Sequence, residues 1–162
     1  MYFVARVVLV ILVGLTHGEP SQINAHPHVS GNCSKSGSGA VESEVVGVHN
    51  GIIENYAELK EKLLKHGYIF YSQTDTEIVI KLVDYYYKKY KLGPIDAIAK
   101  TLVRVRGSYA LELMFKDYPG EIWVARKRQS DDYWNYRWGD LCGFRCACNF
   151  KIYQRCILHR KS

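Results

Sequence analysis

The stretch Gly107-Ser108-Tyr109-Ala110-Leu111-Glu112-Leu113-Met114-Phe115, followed by Pro119-Gly120 and then by Glu121-Ile122-Trp123-Val124-Ala125-Arg126, decides the fold class. Tyr109, Leu111, Leu113 and Phe115 fall on one side of an extended chain, and Ala110, Glu112 and Met114 on the other, which is the period of a strand. Pro119-Gly120 is a turn signal, so the two runs read as an antiparallel hairpin. No glycine-rich phosphate loop follows any apolar run. The chain therefore reads as an α+β layered domain and not as a doubly wound parallel one.

Upstream of the hairpin, Gly93-Pro94 puts a proline at the first position of a helix that runs to about Val105 and ends before Gly107. Before it, Thr74-Asp75-Thr76-Glu77 opens another helix as a capping box, with Val79, Leu82, Val83, Tyr86 and Tyr90 as its buried stripe. On that stripe, Tyr85-Tyr86-Tyr87 reads as core packing and not as a stacking platform for bases. Ile52, Tyr56, Leu59 and Leu63 predict one face of an earlier helix stopped by Gly67, and Tyr68–Tyr71 a short strand. Glu44–His49 reads as a strand ending in an Asn50-Gly51 turn, and residues 18–43 as a loop. The apolar run Tyr2–Leu15 reads as a buried strand, with a secretory signal as the alternative; it is too short for a bilayer span of about 20 residues.

The 162 residues suffice for one domain with a core, and 48% hydrophobic against 23% charged residues excludes disorder throughout. A net charge of +6 would ordinarily suggest nucleic acid, but residues 1–126 carry 14 Lys/Arg against 13 Asp/Glu, a net of +1. Residues 127–162 carry 8 against 3, a net of +5, so the basicity belongs to the tail. No nucleic-acid or membrane partner is expected. Cys142, Cys146, Cys148 and Cys156 have neither zinc-ribbon nor thioredoxin spacing, and His17, His26, His28 and His49 come with no carboxylate in a ligand pattern, so no metal and no other cofactor is expected. Residues 128–162 show no sustained period and read as lying outside the core.

Asn50-Gly51 alone is a turn, and Thr74–Glu77 alone is a capping box. They occur, however, after Thr16-His17-Gly18-Glu19-Pro20-Ser21 and Asn24-x-His26-Pro27-His28, and as part of His49-Asn50-Gly51-Ile52-Ile53 and Thr74-Asp75-Thr76-Glu77. In that order and spacing the four islands resemble the glutaminase domain of glutamine–fructose-6-phosphate amidotransferase, a class-II amidotransferase with an N-terminal-nucleophile hydrolase fold. Other class-II branches share the Asn-Gly pair; the combination with His17-Gly18-Glu19-Pro20 favours the amino-sugar branch.

The resemblance implies a role for five residues. Asn50, through its side-chain amide, and Gly51, through its backbone N–H, match the donors that stabilise the oxyanion formed when glutamine is attacked. Asp75 matches the carboxylate that receives glutamine's α-ammonium, and Thr16 and His17 match residues lining the pocket near its carboxylate. The family's nucleophile is an N-terminal cysteine, whereas this sequence begins Met1-Tyr2-Phe3-Val4, and the family's carboxylate-binding Arg is Val13 here. Cys33 lacks the adjacent free α-amine that would serve as base.

The resemblance covers Thr16 to Lys127 and implies an incomplete domain at 16–127, with a leader at 1–15 and a tail at 128–162 that do not match. The expectation is a glutaminase fragment from an enzyme that makes glucosamine 6-phosphate from fructose 6-phosphate. It would be cytoplasmic, inactive as written, and weak or lost in glutamine binding. The alternatives are another class-II branch, or a non-catalytic module that binds a homologous amidotransferase subunit.

Overall fold

The computed structural model describes residues 19, 21–31 and 43–127 in full, and residues 142–145 and 150–156 as strand backbone. Among the described residues six strands form one sheet: β1 (His28–Val29), β2 (Val45–Ile53), β3 (Gly107–Phe115), β4 (Glu121–Lys127), β5 (Cys142–Arg145) and β6 (Phe150–Cys156). Their order is β1-β2-β3-β4-β6-β5, and every neighbouring pair is antiparallel. Three helices, α1 (Tyr56–Lys65), α2 (Asp75–Tyr90) and α3 (Pro94–Arg104), separate β2 from β3. This is the α+β layering expected from the hairpin.

The core lies between the sheet and α2. Val45, Ile53, Leu111, Leu113, Phe115, Trp123 and Ala125 from the strands meet Ile78, Val79, Leu82 and Val83 of α2, and Ile98 and Leu102 of α3. The alternation along β3 is that of a half-buried strand, with Tyr109, Leu111, Leu113 and Phe115 buried and the residues between them less so. In α2 every residue from Asp75 to Tyr86 is buried, because the helix packs on β1 and β2 and is flanked by α1 and α3. The expected stripe was too narrow at its start and too long at its end, where Tyr90 is half exposed.

Thr74 caps α2, its side chain accepting from the Glu77 N–H at 3.4 Å, but the reciprocal half of the expected capping box is not formed: the Thr74 N–H donates to Ser72 Oγ and the Glu77 carboxylate takes the N–H groups of Tyr71 and Ser72. The same hydroxyl lies 3.1 Å from His28 Nε2 and 2.9 Å from Ser72 Oγ, so it ties β1 to the helix start. Replacing such a cap by alanine costs about 1 kcal/mol. Thr74→Ala is expected to lower Tm by roughly 3 °C, and Thr74→Ser to restore most of it; a thermal melt of both variants checks this.

Four expectations are corrected. Asn50-Gly51 is not a turn: β2 continues through it to Ile53, pairing Asn50 with Ala110 and Gly51 with Tyr109. Gly51 holds φ +134°, and Gly107, opposite Ile53, holds φ +121°. The dipeptide signals unusual backbone torsion, which here sits inside a ladder instead of ending one. Ile52 therefore belongs to β2, half exposed, and α1 starts only at Tyr56, burying Leu59 and Leu63.

Tyr68–Tyr71 forms no strand, because the Tyr71 N–H is taken by the Glu77 carboxylate instead of a neighbouring strand. The described residues of the tail form two strands, and β6 pairs with β4 from Glu121↔Cys156 to Lys127↔Phe150. Its Phe150-Lys151-Ile152 alternation is cut short by Tyr153, so a strand made by pairing left almost no period. The expected strand in Tyr2–Leu15 lies outside the described residues.

Candidate functional site

The N-terminus of α2 and the C-terminal half of β2 meet at Asp75. This residue is the first of the helix, where a carboxylate is favoured by the helix dipole, and it is 1% exposed. Its Oδ2 accepts from the Ile53 N–H at 3.0 Å, and its Oδ1 lies 3.8 Å from His49 Nδ1. His49 Nδ1 is also 3.1 Å from Thr76 Oγ1. Strand alternation brings His49 and Ile53 to the helix-facing side of β2 and sends Asn50 and Ile52 to the other side, where both are exposed. The fold thus unites the Gly51–Ile53 backbone with Asp75, while the Asn50 side chain lies across the sheet from that carboxylate. Thr16 and His17 lie outside the described residues.

The absence of a side chain at Gly51 has a local cause. A Cβ there would collide with Ser108 O and come within 2.7 Å of Tyr109 Cα, both backbone atoms of β3. Glycine is required for close strand approach whatever passes on the outer side.

Beside Asp75 lies a set of buried polar residues that periodicity did not single out. His28 is fully buried, with Nδ1 3.0 Å from Tyr71 Oη and Nε2 3.1 Å from Thr74 Oγ1. Burial, followed by the neighbouring His26, pushes its pKa down to about 4, so the ring is neutral at physiological pH. Burial also lowers the pKa of His26, against the opposing pull of Asp75.

Two residues further along α2, Glu77 accepts from the N–H groups of Tyr71 (3.0 Å) and Ser72 (2.7 Å) and from Ser72 Oγ (2.7 Å). Lys81 reaches Glu77 at 3.3 Å, with both side chains 0% exposed, and donates to the carbonyls of Ser30 and Gly31. Asp84 accepts from Ser30 Oγ at 3.0 Å and from Tyr68 Oη at 2.9 Å. Glu77, Lys81 and Asp84 at steps of four and three share one helical face, the signal that could have found them. That spacing is also that of a solvated face, and only the fold separates the two.

Among the described residues no group of three or more His, Cys, Asp or Glu comes together to hold a metal, and no helix is long and apolar enough to cross a membrane.

A family model described as "Glutamine amidotransferase domain" matches residues 36–145. The glutamine–fructose-6-phosphate aminotransferase (isomerizing) of Pyrobaculum aerophilum is 49% identical over 111 residues, 68% of this chain and 17% of that protein. Its namesake from Caldanaerobacter subterraneus subsp. tengcongensis is 50% identical over 112 residues, 69% of this chain and 16% of that protein. The chain thus spans about one sixth of the length of these curated relatives. Among solved structures, the glutamine phosphoribosylpyrophosphate amidotransferase of B. subtilis superposes with a TM-score of 0.51 at 21% identity, over 84% of this chain and 25% of that one, which shows a shared fold.

Proposed function

Because the chain belongs to the glutamine amidotransferase domain family, we propose that it is the glutamine-handling part of a glutamine–fructose-6-phosphate aminotransferase, the assembly that makes glucosamine 6-phosphate. In this reading the glutamine-handling residues lie within 16–127, to whose sheet β6 and β5 add two strands, the unit works in the cytoplasm, and its substrate is glutamine. The observation that carries it is the bond from the Ile53 N–H to Asp75 Oδ2, two residues beyond Gly51. It fixes a buried carboxylate about 7 Å along the strand from the Gly51 N–H. Those are the two groups an amino acid with a distal amide requires: an anion for its ammonium, and a donor for the oxyanion of its amide. By the family's pattern Asn50 would supply a second donor, although its side chain leaves the face of β2 opposite Asp75, and Thr16 and His17, outside the described residues, match positions near the carboxylate end.

Residues 43–127 contain no cysteine, so this part of the site brings no thiolate to the amide. The 162-residue polypeptide is expected to bind glutamine weakly and to release no ammonia above a Cys33→Ser control. Calorimetry should find the binding at least tenfold weaker in Asp75→Asn, since a charge-assisted hydrogen bond contributes about 1.5–3 kcal/mol. Asparagine can still accept from the Ile53 N–H, and a thermal melt confirms that the variant folds. Equal affinity in the two proteins would overturn the role given to Asp75. Turnover above the control would overturn the inactivity.

A second reading is favoured by the near-complete enclosure of Asp75: a non-catalytic module that pairs with a homologous amidotransferase subunit. Co-purification with such a subunit, without glutamine binding, would select it.

A further inference from the structure

We propose that a cleft at the opposite end of α2 binds a small phosphorylated ring compound. The cleft has a volume of about 280 Å³ and is lined by Lys62, Tyr86, Tyr90, Lys100, Val103 and Arg104. Three of the six are cations and none is an acid. Glu58 and Asp96 lie four residues before Lys62 and Lys100, the spacing of a helical ion pair, yet among the described residues neither makes one, nor does Arg104. Three like charges around one opening repel one another, and an anion of charge near −2 removes that repulsion while accepting their hydrogen bonds.

The rest of the wall selects for more than charge. The rings of Tyr86 and Tyr90 stack with centroids 5.9 Å apart at 27°. Lys62 Nζ lies 3.4 Å from Tyr86 Oη, and Lys100 Nζ stands 5.0 Å from the Tyr90 centroid. Tyr90 is 49% and Val103 63% exposed, an apolar and aromatic surface next to the cations. A phosphate among Lys62, Lys100 and Arg104 leaves the attached ring against the exposed Tyr90 and Val103. The volume falls just below the roughly 300–1,000 Å³ of ordinary small-molecule pockets, and this favours one compact ligand over an extended acidic peptide. Tyr86 follows Asp75 by eleven residues, about 16 Å along the helix, so the cleft is separate from the glutamine site.

Phenyl phosphate is the probe, titrated into the full chain and followed by tyrosine fluorescence. Saturable binding is expected, at least tenfold tighter than for inorganic phosphate or phenol. The double variant Lys100→Gln/Arg104→Gln should lose at least tenfold in affinity while its Tm is unchanged, both residues being exposed. Asp75→Asn should bind the probe like the parent chain, which separates this result from the glutamine reading. The proposal is overturned if phenyl phosphate binds no tighter than inorganic phosphate. It is also overturned if the double variant keeps the parent affinity, or if a hexaglutamate peptide binds tighter than phenyl phosphate.

Discussion

Replacing Glu77 with leucine is expected to abolish the cooperative thermal transition of this domain. The carboxylate accepts three hydrogen bonds from Tyr71 and Ser72 and faces Lys81 at 3.3 Å, with both charged side chains fully enclosed. Removing one member of a buried ion pair costs about 3–5 kcal/mol, because the other charge stays behind without compensation. The N–H groups of Tyr71 and Ser72 lose their acceptor as well, and each buried donor left unsatisfied adds about 1–3 kcal/mol. Domains of this size are stable by only about 5–15 kcal/mol, so the losses take most of the total. Glu77→Gln should be milder, since it keeps the acceptor oxygen. Near-ultraviolet circular dichroism against temperature decides the matter: a Glu77→Leu protein that melts within a few degrees of the parent would show that the network contributes little.

Gly51→Ala is the second severe change. A methyl group there meets Ser108 O and lies 2.7 Å from Tyr109 Cα, and neither atom can move without breaking the β2–β3 ladder. The φ of +134° adds a backbone penalty of about 1–3 kcal/mol for any residue with a Cβ. A loss of at least about 3 kcal/mol is expected, read as the shift of a urea midpoint at constant slope. Gly93→Ala is the comparison: a Cβ there meets nothing within 4 Å, and φ is −67°. Its cost should stay below about 1 kcal/mol. Matching midpoints for the two variants would mean that β2 does not run through Gly51 as described. If Gly51→Ala also loses glutamine, that loss cannot be assigned to the oxyanion, because the strand goes with it.

What the sequence made legible depended on how local its cause was. The β3–β4 hairpin, the proline opening α3, the Thr74 cap and the glycine after α1 each rest on a few adjacent residues, and each appears at its expected place. The continuation of β2 through Asn50-Gly51 was not legible, since a positive φ serves a turn and a close strand contact equally well. Nor was β6, which owes its extension to seven partners on β4 and not to its own pattern. At the site, Asp75, Asn50 and Gly51 stood out through resemblance to the family alone. His28 and Glu77 were visible only as members of the family-like islands, and the Glu77–Lys81–Asp84 row escaped notice because polar side chains at helical spacing look the same whether they face water or one another.

β1 has only two residues, and the segment His28–Gly31 that contains it is fastened to α2 and its cap by side chains: Lys81 to the carbonyls of Ser30 and Gly31, Asp84 to the Ser30 hydroxyl, and Thr74 to His28. Two segments some fifty positions apart in the chain are consequently inherited as one unit. A lineage that replaces Asp84 by an apolar residue must also find a substitute for Ser30, and one that shortens Lys81 must re-route the backbone at Gly31. Drift in the helix interior is thereby coupled to the shape of the histidine-bearing segment. Sequences that have diverged at one of these places should carry a matching change at the other.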